Sequence, residues 1–331
     1  MNSKVHHYSV FGALIEEMIQ IRLYLGYKSQ DYMSFLNDFD RYAEERGTDT
    51  IHITTELAEG FCRKRPNESD KTRYNRICVF NRFALYLQQL GYESCMVAFP
   101  RIVTVHTPYI FSDEQMMRIF HVTDQLCDDR LRPHSGLFCM PVLLRVLYAT
   151  GIRIGEALNL TLDDVDLDNN YFILRGCKNG KDRMVPFSSS LAEVCRDYLS
   201  RWNLIPANRD NRKFFISRQG YPVGQSAPYD WFRKILFLAK IPHGGRGKGP
   251  RLHDFRHTFS VHALIALGKR GLDLYYALPI LSTYLGHQSL SSTDKYVRLT
   301  ADIYPSLIKN MNLAYPFLYP QINENQKYEA D

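Results

Sequence analysis

The sequence predicts a mainly α-helical protein with a small β-hairpin or sheet, an α+β fold in two domains. Residues 8–91 contain four segments in which apolar residues recur at helical spacing. Pro100 and Pro108 flank a β-branched stretch without a helical period, which is typical of an extended linker. Residues 171–187 are rich in β-favouring residues and contain an Asn-Gly pair, which favours a hairpin.

The first domain is predicted as four helices with recognisable ends. They cover residues 8–27, 29–47, 53–65 and 69–91. Side-chain caps are expected from Ser29, from Thr54 or Thr55, and from Ser69, and glycine ends the helices at Gly26, Gly47 and Gly91. The first helix should bury one stripe, made of Phe11, Ile15, Met18, Ile19, Leu23 and, at its end, Leu25.

The chain is predicted to continue through a linker into a larger domain. We place the helical domain at 1–98, the linker at 99–111, the second domain at 112–315 and a polar tail at 316–331. A helix should begin at Ser112, with Gln115 close to a capping-box position. Strands are expected at 171–177 and 183–187.

The composition excludes several classes of protein. With 45% hydrophobic and 23% charged residues among 331, the chain is too apolar to be disordered. The longest uncharged run contains Pro279 and Gly286 and is a poor membrane span, and the first residues do not resemble a secretory signal. Seven scattered cysteines without CxxC spacing predict neither a zinc ribbon nor a disulfide framework. We therefore expect a cytoplasmic protein.

Charge is distributed unevenly along the chain. Residues 1–100 carry 12 Lys and Arg against 13 Asp and Glu, whereas the remainder carries 29 against 22. One basic cluster is dense and comprises Arg63, Lys64, Arg65, Lys71, Arg73, Arg76 and Arg82. It is either a solvated helix face or a surface that contacts a phosphate backbone.

Six residues in the second domain form a constellation of chemically active types. They are Arg153, Lys178, His253, Arg256, His287 and Tyr296. Each alone has an ordinary explanation: a buried Arg pairs with a carboxylate, a Lys at a hairpin turn is solvated, and a His or Tyr packs in the core. Their order and spacing together are more specific.

From Ala149 onward the chain resembles the tyrosine recombinase (phage integrase) family. The resemblance runs through TGIRIGEALNLTLDDVD, GCKNGKDRMVPF, LHDFRHTF and LGHQSLSSTDKY, and it covers roughly residues 110–300. The four-helix domain resembles the family's core-binding domain more loosely. The segments YALPILSTYLGH and RLTADIYP resemble the recombinases of transposons and other mobile elements more than the chromosome-dimer-resolving members.

The resemblance implies site-specific DNA cleavage and rejoining through a 3′-phosphotyrosyl intermediate, without metal, ATP or another cofactor. Tyr296 would be the nucleophile and His253 would take its proton. Arg153 and Arg256 would hold the non-bridging phosphate oxygens. Lys178 would protonate the departing 5′-oxygen, and His287 would hydrogen-bond the same phosphate.

Residues beside these motifs receive separate interpretations. His257 should point away from the face of Arg256 and be structural, and Glu156 should orient Arg153 or a neighbour. DNA contacts are predicted for two residues of the hairpin and for a Gly-rich basic loop at 241–251. With the first domain, the predicted DNA-binding set is Arg63, Lys64, Arg65, Lys71, Arg73, Lys181, Arg183, Arg246 and Lys248.

Alternative functions and partners follow from the same features. A type IB topoisomerase shares nearly the same catalytic residues, a DNA-binding protein could have lost catalysis, and His253 with His257 could form part of a metal site that lacks a third ligand. The expected partners are double-stranded DNA sites in the nucleoid, accessory proteins, and three further copies of the chain in a tetramer. An apolar stripe in the C-terminal segment, Leu307, Ile308, Met311 and Leu313, would dock on its own domain or on a neighbouring copy.

Overall fold

The structure is a computed structural model of the full chain. It describes residues 7–27, 29–101, 107–128, 136–177, 180–203, 212–245, 249–287, 289, 293, 296, 299 and 300. The chain divides into two compact units, Met1–Thr107 and Pro108–Asp331. The division falls within the segment 99–111, where the sequence predicts a linker. The predicted C-terminal stripe and polar tail lie outside the described residues.

The first unit contains four helices, as the periodicity predicts. They are α1 (Gly12–Tyr24), α2 (Gln30–Glu45), α3 (Thr55–Cys62) and α4 (Asp70–Gln89). The hydroxyl of Thr54 accepts a hydrogen bond from the Leu57 amide at 3.2 Å, and that of Ser69 accepts one from the Thr72 amide at 3.0 Å. Ser29 occupies the N-cap of α2 but makes no side-chain cap bond.

Aromatic rings form the core of this unit. Phe39 lies at its centre, 5.2 Å between ring centroids from each of Phe11, Phe61 and Phe80. The predicted stripe of α1 is only partly right. Its first four members are buried, but Leu23 and Leu25 are 47% and 63% exposed. The helical period extends into the last turn of α1, yet no core residue covers that end.

The second unit is also mainly helical. Its helices are α5 (Asp113–Asp128), α6 (Met140–Thr150), α7 (Ile154–Asn159), α8 (Ser189–Trp202), α9 (Ala227–Leu238), α10 (Asp254–Lys269) and α11 (Leu274–Leu285). The predicted capping box at the start of α5 is present. The Gln115 amide donates to the Ser112 hydroxyl, and the Ser112 amide donates to the Gln115 side chain. With the small sheet, these helices confirm the predicted fold class.

A three-stranded antiparallel sheet interrupts the helices. It consists of β1 (Val165–Asp166), β2 (Tyr171–Leu174) and β3 (Arg183–Pro186), in the order β1-β2-β3. In the hairpin, Phe172 pairs with Val185 and Leu174 pairs with Arg183. The short β1 was not predicted, because two residues carry no readable alternation. The strand predicted at 171–177 ends at Leu174, and the one predicted at 183–187 ends at Pro186.

Helix α6 lies at the centre of the second unit and directs the chain into the candidate site. It packs against α5, α8 and α10, and most of its side chains are buried. Its C-cap, Gly151, has a φ of 61°, and a Cβ there would lie 2.4 Å from Cδ1 of Phe259. Only glycine fits both the left-handed turn and this close approach. The turn places Arg153 at the N-cap of α7.

The cysteines and the apolarity of the helices can be described from the structure. All seven cysteines are free thiols and four of them are buried. Among the described residues, none of the helices combines the length and the apolarity that crossing a bilayer requires.

Candidate active site

Arg256 joins three distant stretches of chain at the candidate site. It lies in the first turn of α10 and is 2% exposed. Its Nη1 donates to the Gly151 carbonyl and its Nη2 donates to the Leu285 carbonyl, each at 2.8 Å. Gly151 lies two residues before Arg153, and Leu285 lies two residues before His287. One buried guanidinium therefore brings together the regions of Arg153, Arg256 and His287, which the sequence predicts as parts of one site.

Glu156 holds Arg153 at the N-terminus of α7. The Arg153 amide donates to Glu156 Oε2 at 2.9 Å, and Arg153 Nη1 donates to Oε1 at 2.7 Å. The Glu156 side chain is 9% exposed, whereas that of Arg153 is 29% exposed. This confirms the predicted orienting contact and leaves part of the Arg153 side chain in contact with solvent.

The same carboxylate also binds Arg183, which corrects one sequence prediction. Arg183 begins β3, and its Nη1 and Nη2 donate to the two oxygens of Glu156 at 3.1 and 2.8 Å. Its side chain is only 13% exposed, which argues against the hairpin contact to a DNA phosphate that we predicted. Arg183 also packs beneath Gly286, where a Cβ would lie 3.0 Å from Nη1. It thus connects the hairpin, α7 and the turn before His287.

Tyr296 is buried beside α10. It is 1% exposed and belongs to a core cluster with Val261 and Leu281. Its backbone carbonyl accepts a hydrogen bond from Thr300 Oγ1 at 2.7 Å. Its hydroxyl lies 3.0 Å from Nδ1 of His257. The candidate nucleophile therefore points at a histidine.

That contact overturns the prediction that His257 points away from the site. His257 is 6% exposed, and its ring centroid lies 5.6 Å from that of Tyr296. His253, at the N-cap of α10, lies with its ring edge-on to His257 at 4.9 Å. We inferred the direction of His257 from its adjacency to Arg256 alone. Neighbouring residues on a helix are separated by only about 100°, so both can contact a ring that packs beside the helix.

The ring of His287 also lies beside that of Tyr296. The two rings are nearly parallel, with 18° between their planes and 6.3 Å between centroids. Nδ1 of His287 lies 2.7 Å from the Thr293 hydroxyl, which fixes the orientation of the ring. Thr293 is itself fully buried. Sequence reasoning did not identify Thr293, because nothing in its spacing distinguishes it from other hydroxyl residues.

The electrostatics of the site keep the tyrosine protonated and the arginine charged. Burial raises the pKa of Tyr296, although the charges of Arg256 and Arg153 and a hydrogen bond with Ser260 oppose the rise. Burial, with Arg153 nearby, lowers the pKa of Arg256 to about 10. Arg256 is therefore a cation at neutral pH, and Tyr296 needs a proton acceptor to become a nucleophile.

Some predicted site residues cannot be placed by the structure. Lys178, Arg246 and Lys248 lie outside the described residues. Lys181 is described and exposed, and it follows Gly180 in the connection between β2 and β3. Its predicted phosphate contact stays a prediction.

The basic cluster of the first unit separates into structural and exposed members. Arg76 is fully buried and paired with Glu68, which removes it from any surface. Arg82 is hydrogen-bonded to Tyr32. In contrast, Arg63 and Lys71 are exposed on the surface.

The other predicted DNA contacts of this cluster have protein partners as well. Lys64 pairs with Asp70 at 2.6 Å, and Arg65 pairs with Asp38 at 3.0 Å. Arg73 donates from Nε to the Cys62 carbonyl at 3.0 Å. Lys64 and Arg65 remain about half exposed, so their pairs are of the weak surface kind that a phosphate could replace.

The described residues contain no cluster of three or more His, Cys, Asp and Glu side chains that could hold a metal ion. The pair His253 and His257 therefore has no third acidic, thiol or imidazole ligand within the described part of the chain. The groups assembled here are instead two guanidiniums, imidazoles and a phenol.

Comparison with known sequences identifies relatives of the chain. Residues 111–302 match the phage integrase family. A Sinorhizobium fredii protein named as integrase/recombinase y4rB is 31% identical over 317 residues, covering 92% of this chain and 97% of the relative. The tyrosine recombinase XerC of Oceanobacillus iheyensis is 28% identical, covering 76% of this chain and 75% of the relative.

Solved structures share the fold at lower sequence identity. The XerH site-specific recombinase in a post-cleavage complex with a palindromic difH substrate has a TM-score of 0.63 at 19% identity, covering 92% of this chain and 84% of that chain. The Tn1549 transposon integrase in complex with transposon right end DNA has a TM-score of 0.63 at 16% identity, covering 86% and 93%. The matched family spans more than half of this sequence and includes the whole candidate site. The chain therefore belongs to the phage integrase family and is a site-specific tyrosine recombinase.

Proposed function

We propose that this recombinase cuts and rejoins DNA through a covalent 3′-phosphotyrosyl intermediate formed on Tyr296. The phenolic oxygen attacks the scissile phosphorus, the bond to the 5′-oxygen breaks, and the energy of the phosphodiester is retained in the new linkage. The reverse reaction with a different 5′-hydroxyl exchanges strands. No nucleotide or metal enters this cycle.

Two arginines supply the positive charge that the transition state needs. Arg256 is buried, charged and fixed by two carbonyls, so it cannot relax away from a phosphate placed beside it. Arg153 is partly exposed and held by Glu156. Guanidiniums fixed in this way stabilise charge as it develops on the non-bridging oxygens, with little reorganisation.

The remaining roles are proton transfers. We assign the protonation of the departing 5′-oxygen to Lys178 and a hydrogen bond to the phosphate to His287, as the family resemblance implies. The proton of Tyr296 passes to a histidine at the start of α10, where His253 lies at the cap and His257 lies one turn later.

DNA binding and assembly complete the proposal. One structural neighbour is a recombinase bound to its difH substrate and another is a transposon integrase in complex with transposon right end DNA, and we infer that double-stranded DNA is the partner here. The exposed Arg63 and Lys71 of the first unit and Lys181 of the hairpin are proposed phosphate contacts. We further propose a tetramer on two sites, with the C-terminal segment docked on a neighbouring copy, acting at nucleoid DNA.

One observation carries the catalytic proposal. A tyrosine hydroxyl, an imidazole and a buried guanidinium meet although Arg256 and Tyr296 lie 40 residues apart in the sequence, and the guanidinium is fixed to the turn before Arg153. A buried cation whose bonds go to neutral carbonyls is suited to an anionic ligand.

The test uses a covalent complex. The full-length protein first selects a binding site from a pool of random DNA, and a nicked form of that site serves as a suicide substrate. Wild-type protein should give an SDS-resistant protein–DNA band, and Tyr296→Phe should bind the DNA but give none. Tyr276→Phe is the matched control, because Tyr276 is an exposed tyrosine of α11 and its loss should leave the band unchanged. A band of wild-type intensity from Tyr296→Phe would exclude Tyr296 as the nucleophile.

A further inference from the structure

The hydroxyl of Tyr296 lies in a buried pocket formed mainly by the first two turns of α10. His257 Nδ1 is 3.0 Å away, Arg256 and Ser260 lie beside the hydroxyl, and both rings of the Tyr296–His257 pair are almost fully buried. Bulk water therefore does not reach this contact. Any proton that leaves the phenol must first pass to a protein group.

The geometry of the pair meets the requirement for a general base. Proton transfer needs a heavy-atom separation of about 2.6–3.2 Å, and the His257–Tyr296 distance lies within that range. The imidazole is the only one of the groups beside the hydroxyl named above that can accept a proton near neutral pH. A guanidinium has no lone pair to offer, and a serine hydroxyl is too weak a base.

Neighbouring charges favour the phenolate that Tyr296 must become. Arg256 lies next to His257 on α10, Arg153 faces the pocket from α7, and both are cations. The ring of His253 lies edge-on to that of His257 at 4.9 Å, and the ring of His287 lies nearly parallel to that of Tyr296. Cations nearby favour a phenolate.

We propose that His257 accepts the phenolic proton of Tyr296 during cleavage and returns it during rejoining. This inference rests on the proposed function and assigns one step of it. As the Tyr296 oxygen forms its bond to phosphorus, its proton moves to His257 Nδ1. The bond from phosphorus to the 5′-oxygen breaks, and that oxygen takes a proton from Lys178. In rejoining, the attacking 5′-hydroxyl returns its proton to Lys178, and His257 reprotonates the departing phenolate.

The deciding variant keeps the hydrogen bond but removes the base. In His257→Asn the amide can occupy the position of Nδ1, so Tyr296 stays hydrogen-bonded, yet an amide cannot take up a proton at this pH. Single-turnover cleavage of the suicide substrate should fall by about 10²-fold or more. His262→Asn is the matched control. His262 lies on the same helix, hydrogen-bonded to Tyr148 at 3.0 Å and away from the site, and its variant should cleave at the wild-type rate.

A second substitution separates proton transfer from positioning. Replacing Tyr296 by 3,5-difluorotyrosine lowers the pKa of the phenol and so reduces the need for a base. It should restore most of the activity of His257→Asn. It should not restore Arg256→Gln, which lacks phosphate stabilisation rather than a proton acceptor. Circular dichroism and a gel-shift titration check that each variant folds and binds DNA, and His257→Gln replaces His257→Asn if the latter does not fold.

The outcomes are distinct. Two results would overturn the assignment to His257 and leave the recombinase mechanism intact. One is cleavage by His257→Asn at the wild-type rate. The other is that difluorotyrosine restores activity to His253→Asn but not to His257→Asn. Failure of the wild-type protein to form a covalent complex through Tyr296 would instead refute the proposed function itself.

Discussion

Each unit of the protein contains a buried arginine, and the two differ in whether a carboxylate is among their hydrogen-bond acceptors. In the first unit, Arg76 is fully buried, donates to both oxygens of Glu68 and also contacts the carbonyls of Phe61 and Arg63. In the second unit, Arg256 is equally buried but donates to two backbone carbonyls. Within the described part of the chain it has no carboxylate at ion-pair distance.

The difference separates an arginine that stabilises the fold from one that, in our proposal, binds a phosphate. The charge of Arg76 is neutralised by Glu68, and its fork joins the end of α3 to α4. The guanidinium of Arg256 is hydrogen-bonded to carbonyl dipoles, the Glu156 charge acts on it from beyond ion-pair distance, and burial lowers its pKa to about 10. Carrying a buried cation without an ion-paired carboxylate costs stability. A bound phosphate would recover that cost.

The largest effect on stability should come from breaking the pair in the first unit. Arg76→Met leaves the Glu68 carboxylate, which is 5% exposed, without its cation. The free energy of unfolding should fall by about 3–5 kcal/mol, measured by urea denaturation of the full chain followed by circular dichroism. The double variant Arg76→Met/Glu68→Leu should recover part of the loss. Equal stability of wild type and Arg76→Met would contradict the structural role.

Replacing Arg256 should reduce activity much more than stability. Arg256→Gln can keep a hydrogen bond to a carbonyl and removes a buried charge, so the free energy of unfolding should change by less than about 1 kcal/mol. Covalent-complex formation should fall by about 10²–10³-fold. Urea denaturation measures the free energy of unfolding, and single-turnover cleavage at saturating DNA measures covalent-complex formation. A large stability loss with proportionate loss of activity would place Arg256 in the same class as Arg76.

A smaller effect on stability, dependent on pH, is expected at Glu156. This carboxylate stabilises the fold through Arg183 and also orients Arg153 of the candidate site. Burial tends to raise the pKa of Glu156, but hydrogen bonds and charge from Arg183 and Arg153 prevail and lower it to about 2. A depressed carboxyl pKa contributes stability that is present above the unfolded value and lost as pH falls. The wild type should therefore lose stability between about pH 4.5 and pH 2, and Glu156→Gln should lose less. Thermal unfolding of both proteins across that pH range measures the difference. If wild type and Glu156→Gln lost stability equally as the pH fell, the pairing of Glu156 with Arg153 and Arg183 would be contradicted.

The sequence was most successful where the cause of a structure is local, although the side-chain cap expected from Ser29 did not form. The caps at Thr54, Ser69 and Ser112 depend on a hydroxyl and a backbone amide three residues away, and all three are present. The contact of Glu156 with Arg153 is likewise one helical turn. These features could be predicted because no tertiary partner decides them.

The wrong predictions about side-chain pairing concern contacts that depend on the tertiary fold. Arg183 was predicted to contact DNA because the sequence does not reveal that Glu156 of α7, 27 residues earlier, pairs with it. His257 was predicted to be structural and to point away from the face of Arg256, because the sequence does not reveal its contact with Tyr296, 39 residues later. Arg76 was grouped with surface cations because Glu68, eight residues before it in the sequence, reaches it only through the loop between α3 and α4. The charge and spacing of residues in the sequence indicate which of them are candidates for a function. The tertiary fold decides which residues pair with one another.

The two hydrogen bonds of Arg256 also determine when the protein can act during its synthesis. They join residues 105 and 29 positions apart, and Tyr296 leaves the ribosome after all the other proposed catalytic residues. Contacts of such long range form late, because the intervening loops must close first. A nascent chain that has emerged only as far as α10 has neither the Leu285 carbonyl to hold Arg256 nor the proposed nucleophile. The proposed active site is therefore assembled only after the carboxy-terminal part of the domain has been made, and we expect incomplete translation products to be inactive on DNA.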